Sequence, residues 1–231
     1  MTSSERLTSS ERQAHRYSTV DGEHRHELEI KRSRFITVLR RAETEEEARS
    51  LVAELRREFH DARHHCSAFV LGPERMAQRS NDDGEPSGTA GVPMLEALLK
   101  GSAVDGEADL SDVAAVVVRY FGGILLGAGG LVRAYSESVS RALARAPLVR
   151  RERLRLMSVE APHGSAGRLE NDLRSFGVSV LGTDYGPTAA TLRLAVEDTE
   201  RAGADFKERL ATLTGGSCAA VELGTSWVDL A

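Results

Sequence analysis

Hydrophobic residues in the first half of the chain recur with two different periods. Apolar and polar residues alternate over His24–Lys31, which is typical of a half-buried strand, and Phe35–Leu39 continues this β-like pattern after a charged break. From Thr44 onward the apolar residues return at helical spacing. Glu47 lies three residues after Thr44, so the two residues predict a capping box at the start of a helix.

A continuous run of apolar, mostly β-branched residues, Val113–Val118, predicts a strand that is buried on both faces. A strand is also predicted over Cys66–Gly72, whereas Arg75–Ser111 is predicted to be mostly irregular, with helical character only over Met94–Lys100. Apolar residues after the glycine-rich stretch Gly122–Gly130 recur at helical spacing, so a helix is expected to follow that stretch.

The second half of the chain has a regular alternation of strands and helices. Leu154–Ala161 predicts a strand, Ser165 and Asp198 are the predicted caps of two helices, and Gly215 is predicted to end the second helix. The order of elements is β-α-β-β-α-β, which indicates a ferredoxin-like domain. A proline and several arginines in Pro147–Arg151 interrupt the pattern and mark the predicted boundary.

We therefore predict an α+β protein with two domains. Residues 1–14, in which the sequence SSER occurs twice, are expected to form a flexible tail. The first domain is predicted over residues 15–148 and the ferredoxin-like domain over residues 150–231. A chain of 231 residues is long enough to give each domain a hydrophobic core.

Composition narrows the functional classes. The chain is 41% hydrophobic and 28% charged, as expected for a folded protein, and its net charge of -5 argues against a non-specific, basic nucleic-acid coat. Its first residues do not resemble a signal peptide, and no apolar stretch approaches the roughly 20 residues of a membrane helix. Cys66 and Cys218 are far apart and are expected to be reduced thiols. These features predict a cytoplasmic protein that does not act in a membrane.

A glycine-rich segment, Arg119–Tyr135, leads from the predicted buried strand into a helix. Its glycines allow positive φ angles and close approach of a ligand, and the helix N-terminus offers unpaired N–H groups to an anion. Arg119 and Arg133 would add positive charge. The segment matches neither a phosphate-binding P-loop nor a dinucleotide-binding motif, so close packing of strand, turn and helix remains an alternative reason for the glycines.

An acidic segment, Asn81–Leu95, carries a second set of polar groups. Asp82, Asp83 and Glu85 are candidates for binding a hard cation, with His64 or His65 as a further ligand. No spaced metal-binding motif accompanies them, so a structural interpretation is favoured over a metal site.

In that structural interpretation Asp83 and Gly84 form a turn, and the carboxylates cap the backbone of Ser87–Gly91 or pair with Arg79 and Arg119.

Candidate nucleophiles are Ser87, Thr89 and Cys66, but none lies in a nucleophile-elbow motif. Tyr120, Phe121 and Tyr135 are candidates for stacking on bases, although all three fit a hydrophobic core at least as well. We assign no catalytic residue, no metal ligand and no cofactor from the sequence.

The motifs as a group resemble those of the IMPACT/YigZ family. The resemblance is carried by Asp82–Gly91 and Arg119–Tyr135, and by the shorter stretches Ser33–Ile36 and Asp61–Cys66. His65 departs from the family pattern, in which Asn often stands at this position. The similarity extends from Tyr17 to the C-terminus, because bacterial members also have a ferredoxin-like second domain.

The resemblance implies both a fold and a biological process, translation. It implies an N-terminal β-α domain of the ribosomal-protein type, similar to domain IV of elongation factor G, and a second domain similar to domain V of that factor. Eukaryotic members of the family regulate translation by interfering with activation of a starvation-sensing kinase. For bacterial members the resemblance implies a ribosomal, RNA or regulatory-protein partner without a settled biochemical activity.

Our leading hypothesis is a translation-associated protein that binds RNA, the ribosome or a regulatory protein, as a monomer or weak homodimer. It requires the loop after Val118 and the acidic turn near Asp83 to meet in one exposed, anion-accepting cleft. The predicted binding residues are Arg34, His64, Arg79, Asp82, Asp83, Glu85, Ser87, Gly88, Thr89, Arg119, Tyr120, Gly122, Gly123, Gly127, Gly129, Gly130 and Arg133.

Two other hypotheses remain open. The same cleft would serve a metal-assisted hydrolase that uses the acidic residues, or a phosphotransfer enzyme that uses the turn at Gly127–Gly130. Alternatively, the glycine-rich segments are structural, and the ferredoxin-like domain binds the partner through its sheet.

Overall fold

A computed structural model describes residues 16–101 and 108–230 of the chain. The described residues divide into two compact units, one within residues 1–151 and 229–231 and one of residues 152–228, and each is described by itself. The tail predicted over residues 1–14 lies outside the described residues.

The first unit is built on an antiparallel sheet with the strand order β2-β3-β6-β4-β5. Its elements in chain order are β1 (Arg16–Val20), β2 (Glu23–Ile30), β3 (Ser33–Arg41), α1 (Glu45–Glu58), β4 (His64–Leu71), β5 (Ala77–Asn81), α2 (Gly91–Leu99), β6 (Val113–Tyr120) and α3 (Ala128–Leu143).

Strand β6 lies at the centre of this sheet and is buried on both faces, as its β-branched run predicted. Val113, Ala115 and Val117 face the core that contains residues of α2 and α3. Val116 and Val118 face the opposite core, which contains residues of α1. The sheet is therefore covered on one face by α1 and on the other by α2 and α3.

The predicted capping box at the start of α1 is confirmed. The Thr44 hydroxyl accepts a hydrogen bond from the Glu47 backbone N–H at 3.2 Å, and the Glu47 carboxylate accepts one from the Thr44 N–H at 3.1 Å. These two contacts satisfy donors that a helix N-terminus otherwise leaves unpaired.

The prediction that Arg75–Ser111 is mostly irregular was wrong at one place. Ala77–Asn81 forms the edge strand β5, which pairs with β4 from Ser67 to Leu71. Its sequence, AQRSN, has no apolar alternation because the strand lies at the edge of the sheet and is only partly buried. The pairing with β4 creates this strand, and it has no local sequence signal.

The second unit has the predicted ferredoxin-like arrangement. Its elements are β7 (Leu148–Ala161), which begins in the first unit, α4 (His163–Ser175), β8 (Ser179–Tyr185), β9 (Ala190–Glu197), α5 (Glu200–Thr214) and β10 (Ala220–Leu230). The strand order is β10-β7-β9-β8, and one core joins β7 and β9 to both helices. The α+β fold class of the chain is thereby confirmed.

Both predicted helix caps of the second unit were wrong. Helix α4 begins at His163 after Pro162, so Ser165 already lies in its first turn. Helix α5 is capped by Thr199, whose hydroxyl accepts from the Ala202 N–H at 3.1 Å. Asp198 instead pairs with an arginine of β7, Arg153, at 2.9 Å. Gly215 ends α5 in the left-handed conformation, as predicted.

Within residues 16–101 and 108–230, none of the helices combines the length and apolar character that crossing a bilayer requires.

One glycine of the first unit is pressed against the backbone of the β2–β3 turn. Lys31 and Arg32 both have positive φ in this turn, and a Cβ placed on Gly122 would lie 2.0 Å from the Arg32 carbonyl carbon and 2.5 Å from the Ser33 nitrogen. The Gly122 N–H also donates to the Ser33 hydroxyl at 3.2 Å. Because the neighbouring atoms belong to the backbone, they have little freedom to move aside.

We expect Gly122→Ala to lower the free energy of unfolding by about 1–3 kcal/mol, because the added methyl group overpacks this contact. The matched control is Gly167→Ala in α4, where an added Cβ meets no atom within 4 Å. Thermal unfolding of both variants measures the effect. An unchanged melting temperature for Gly122→Ala would contradict the prediction.

Candidate functional site

The loop after β6 and the acidic segment meet at one end of the sheet. Arg119, near the end of β6, lies opposite His64 at the start of β4, and its Nη1 is 2.6 Å from Oε1 of Glu85. The acidic segment and the glycine-rich segment are therefore in direct contact, joined by an ion pair.

This ion pair is the centre of a buried polar network. Arg119 is 6% exposed and Glu85 is 9% exposed. The Tyr135 hydroxyl donates to Glu85 Oε1 at 2.7 Å, and the Cys66 thiol donates to the Tyr135 hydroxyl at 3.3 Å. The Arg119 guanidinium also lies over the ring of Phe121, 5.8 Å from its centroid. The two charges therefore neutralise each other inside the protein, although the Arg119 Nε is buried without a hydrogen-bond partner among the described residues.

Burial raises the pKa of the Cys66 thiol to about 12. The hydrogen bond between this thiol and the Tyr135 hydroxyl acts to lower the pKa, and the carboxylate of Glu85 raises it further. The pKa of Tyr135 is also raised, first by burial and then by the neighbouring Cys66 and Glu85. Because a thiolate is the reactive form of cysteine, Cys66 is a neutral core residue rather than an activated nucleophile.

The acidic segment begins with a tight turn, as the structural interpretation predicted. Asp83 and Gly84 both have positive φ, 44° and 83°, and the Glu85 N–H donates to the Asp82 carbonyl at 3.0 Å. These angles and this hydrogen bond are typical of a type I′ turn. The turn directs Glu85 towards Arg119.

The Asp82 carboxylate caps the start of α2. It accepts hydrogen bonds from the backbone N–H groups of Gly88 at 2.8 Å, Ala90 at 3.0 Å and Gly91 at 2.8 Å. Burial acts to raise the pKa of Asp82, but the three N–H donors outweigh it, and the pKa is lowered. Asp82 is therefore a structural anion at a helix N-terminus.

Asp83 is also engaged within the protein. Its carboxylate accepts from the His65 backbone N–H at 2.6 Å and pairs with Arg56 of α1, and its carbonyl accepts from Nδ1 of His64 at 2.9 Å. Among the residues that the structure describes, no three His, Cys, Asp or Glu side chains are grouped in a way that would hold a metal ion.

The N-terminus of α3 differs from that of α2. Gly127 precedes it with φ of 71° and offers no capping side chain, and no acidic residue lies in the first turn. Gly129 has open space where a side chain would be. Arg133, one turn further on, is exposed and forms no ion pair with a described carboxylate. This end of the helix therefore presents N–H groups and a cation to the surroundings.

The loop before α3 exposes large apolar side chains. The exposed fractions are 51% for Phe121, 42% for Ile124 and 83% for Leu125. We call Phe121–Leu125, together with the first turn of α3 and Arg133, the glycine-loop surface.

Three predicted site residues, Arg34, Arg79 and Tyr120, lie on the face of the sheet that carries α1. The register places Arg34 opposite Tyr120, and the Arg34 guanidinium is 5.4 Å from the centre of the Tyr120 ring. Arg34 also pairs with Glu27 at 2.8 Å. Arg79 lies opposite Phe69, which packs in the core beside α1. The structure does not bring these three residues into the glycine-loop surface.

The remaining predicted residues shape the backbone. Thr89 is buried and donates to the Pro86 carbonyl at 2.6 Å, whereas Ser87 is exposed. Gly88 and Gly123 have positive φ, 75° and 84°. Gly122 and Gly130 are closely packed: a Cβ on Gly122 would meet the backbone of the β2–β3 turn, and a Cβ on Gly130 would lie 3.1 Å from the Leu126 Cβ.

Sequence reasoning missed the partners that engage these groups. Arg56 was not predicted to pair with Asp83, and Tyr135 was not predicted to bind Glu85. The exposure of Ile124 and Leu125 had a usable signal, because the three apolar residues Ile124–Leu126 lie between glycines and are too few to form a periodic face. Only Leu126 of this run packs against the core.

Comparison with known proteins agrees with this architecture. The sequence-family model of the Impact N-terminal domain matches residues 31–143, and that of a domain of unknown function, DUF1949, matches residues 159–217. A solved structure described as a hypothetical protein is 34% identical, covers 90% of this chain and 97% of its own, and superposes with a TM-score of 0.58.

Two relatives match over most of their length. The IMPACT family member YvyE of Bacillus subtilis is 43% identical over 202 residues, which are 87% of this chain and 88% of that protein. The IMPACT family member YigZ of Escherichia coli is 40% identical over 191 residues, which are 82% of this chain and 89% of that protein. With this identity over nearly the whole fold, the chain belongs to the IMPACT family.

Proposed function

We propose that this protein is a translation-associated binding protein that contacts RNA phosphates, ribosomal or free, through the glycine-loop surface. The proposal depends on a difference between the N-termini of two helices: α2, which follows the acidic turn, and α3, which follows the glycine-rich loop. The first turn of α2 is neutralised by Asp82, with three N–H contacts, whereas the described residues place no carboxylate on the first turn of α3.

The chemistry of this helix end favours an external anion. Unpaired N–H groups and the helix dipole attract negative charge at a helix N-terminus. Arg133 adds a formal charge, and the open space at Gly129 lets a phosphate approach the backbone closely. Arg119 is not included among the phosphate contacts, because it is buried against Glu85.

The exposed apolar side chains favour a nucleic acid over a free anion. Phe121 has half of its surface exposed, and Arg119 supports its ring from one side, so its other face is a platform for a base. Ile124 and Leu125 add apolar contact area beside it.

We expect Arg133→Ala to weaken binding to a single-stranded RNA and to purified ribosomes roughly tenfold, and to reduce the slope of log K against log salt by about 0.7–1. The matched control is Arg141→Ala on the same helix, because Arg141 already pairs with Glu137 at 2.5 Å. Fluorescence anisotropy and ribosome co-sedimentation at several salt concentrations measure both. Equal effects of the two substitutions would argue against a phosphate contact at Arg133.

We expect Gly129→Asp to abolish RNA binding while it preserves or raises stability. A carboxylate in the first turn of α3 would occupy the N–H groups, as Asp82 does at α2, and stabilise the helix by about 0.3–1 kcal/mol. Gly129→Ala is the control, since it adds the same Cβ without charge and should keep binding. If Gly129→Asp binds RNA as well as Gly129→Ala, the helix N-terminus is not the phosphate site.

A further inference from the structure

A second basic surface lies on the face of the sheet that carries α1. A groove of about 690 Å³ runs between α1 and the outer strands of the sheet. Its wall is formed by Arg49, Val52, Arg56 and Arg57 of α1, and its floor by Ser67 of β4 and Asn81 of β5. We call this the α1–β5 groove.

The register of the two strands explains the floor of the groove. Ser67 pairs with Asn81 and Phe69 pairs with Arg79, so all four side chains are on the same face as α1. Helix α1 packs over the central strands β4 and β6, and the edge strand β5 extends beyond it. Arg79 is therefore placed beside the groove, two residues along β5 from Asn81.

The charge of the α1–β5 groove is opposite to that of the chain, whose net charge is -5. None of its lining residues is acidic. Arg49 and Arg56 pair with Glu45 and Asp83, but their side chains are 73% and 52% exposed, and such pairs are weak and readily exchanged.

Two arginines at the α1–β5 groove have no salt bridge among the described residues to break before they bind a carboxylate, although Arg57 attracts Glu54 of its own helix. Arg57 donates only to the Ala53 carbonyl of its own helix, at 3.3 Å, and Arg79 donates to the Gln78 carbonyl at 2.9 Å. Neither forms an ion pair with a carboxylate in the described part of the chain. Both are exposed.

Strand β5 also has a free edge. It pairs with β4 on one side, and the described residues make no backbone hydrogen bond to its other side. The start of α2 packs closely on the backbone of Asn81, the last residue of β5, so the open part of the edge is Ala77–Ser80. An edge strand of this kind presents alternating N–H and C=O groups that match the backbone of an extended peptide.

We propose that the α1–β5 groove binds an extended acidic segment of a partner protein, which adds a strand to the free edge of β5. Every second side chain of such a strand faces α1, so its carboxylates reach Arg57 and Arg79. A peptide fits better than RNA, because the groove lining contains no Phe, Tyr or Trp on which a base would stack.

The test uses the full chain and two pools of fluorescein-labelled peptides about twelve residues long, roughly twice a typical strand. One pool has Asp or Glu at alternate positions, and the other has Lys or Arg there. We expect saturable, salt-sensitive binding of the acidic pool only. The double variant Arg57→Glu with Arg79→Glu should weaken this binding at least about tenfold, since two charge-assisted contacts are lost.

The matched control is Arg168→Glu with Arg201→Glu, which makes the same change in net charge at two side chains that are 89% and 91% exposed on α4 and α5. Circular dichroism confirms that both double variants fold. N-methylation of alternate peptide bonds should also weaken binding, because it removes donors to β5. Arg133→Ala should leave peptide binding unchanged, which separates this inference from the proposed RNA function.

Three results would overturn the inference. The first is failure of the acidic pool to bind, and the second is an equal loss in both double variants. The third is binding of a labelled oligouridylate that depends on Arg57 and Arg79 when peptide binding does not, because this would assign the groove to a nucleic acid.

Discussion

The buried pair between Arg119 and Glu85 is the contact on which the candidate site depends. Removing one partner of such a pair costs about 3–5 kcal/mol, because the other charge is left in a poorly solvating interior. Here the Glu85 carboxylate also accepts a hydrogen bond from the Tyr135 hydroxyl, and the Arg119 guanidinium lies over the ring of Phe121. The pair fixes the acidic segment to the end of β6, and the position of the loop that leads to α3 follows from it.

The carboxylates of the acidic segment and the surface proposed to bind an external anion are two separate parts of this site. Asp82, Asp83 and Glu85 are each held by donors of the protein itself: backbone N–H groups, Arg56 and Arg119. The acidic segment is therefore internal scaffolding, which stabilises α2 and the turn before it. The described residues place no capping side chain or carboxylate on the first turn of α3, and that asymmetry supports the assignment of the glycine-loop surface to an anionic partner.

The sequence predicted those parts of the structure that depend on local pattern. The β-branched run Val113–Val118 predicted the central strand, Thr44 with Glu47 predicted a capping box, and the alternation after Arg151 predicted the ferredoxin-like unit. Strand β5 was missed because an edge strand needs no apolar alternation. The contact between the two glycine-rich segments was predicted, but the burial of Arg119 was not, since burial depends on the packing of Phe35, Phe121 and Tyr135 around it.

Charge pairing engages about half of the described arginines of the first unit. Arg25, Arg34 and Arg40 of β2 and β3 all have carboxylate partners, so they add little attraction for a ligand. The net charge of -5 opposes a polyanion at long range, but screening limits that repulsion to about 8 Å at physiological salt. Binding of acidic groups by this protein must therefore depend on short-range contacts, and unpaired arginines lie at the glycine-loop surface and at the α1–β5 groove, on opposite faces of one sheet.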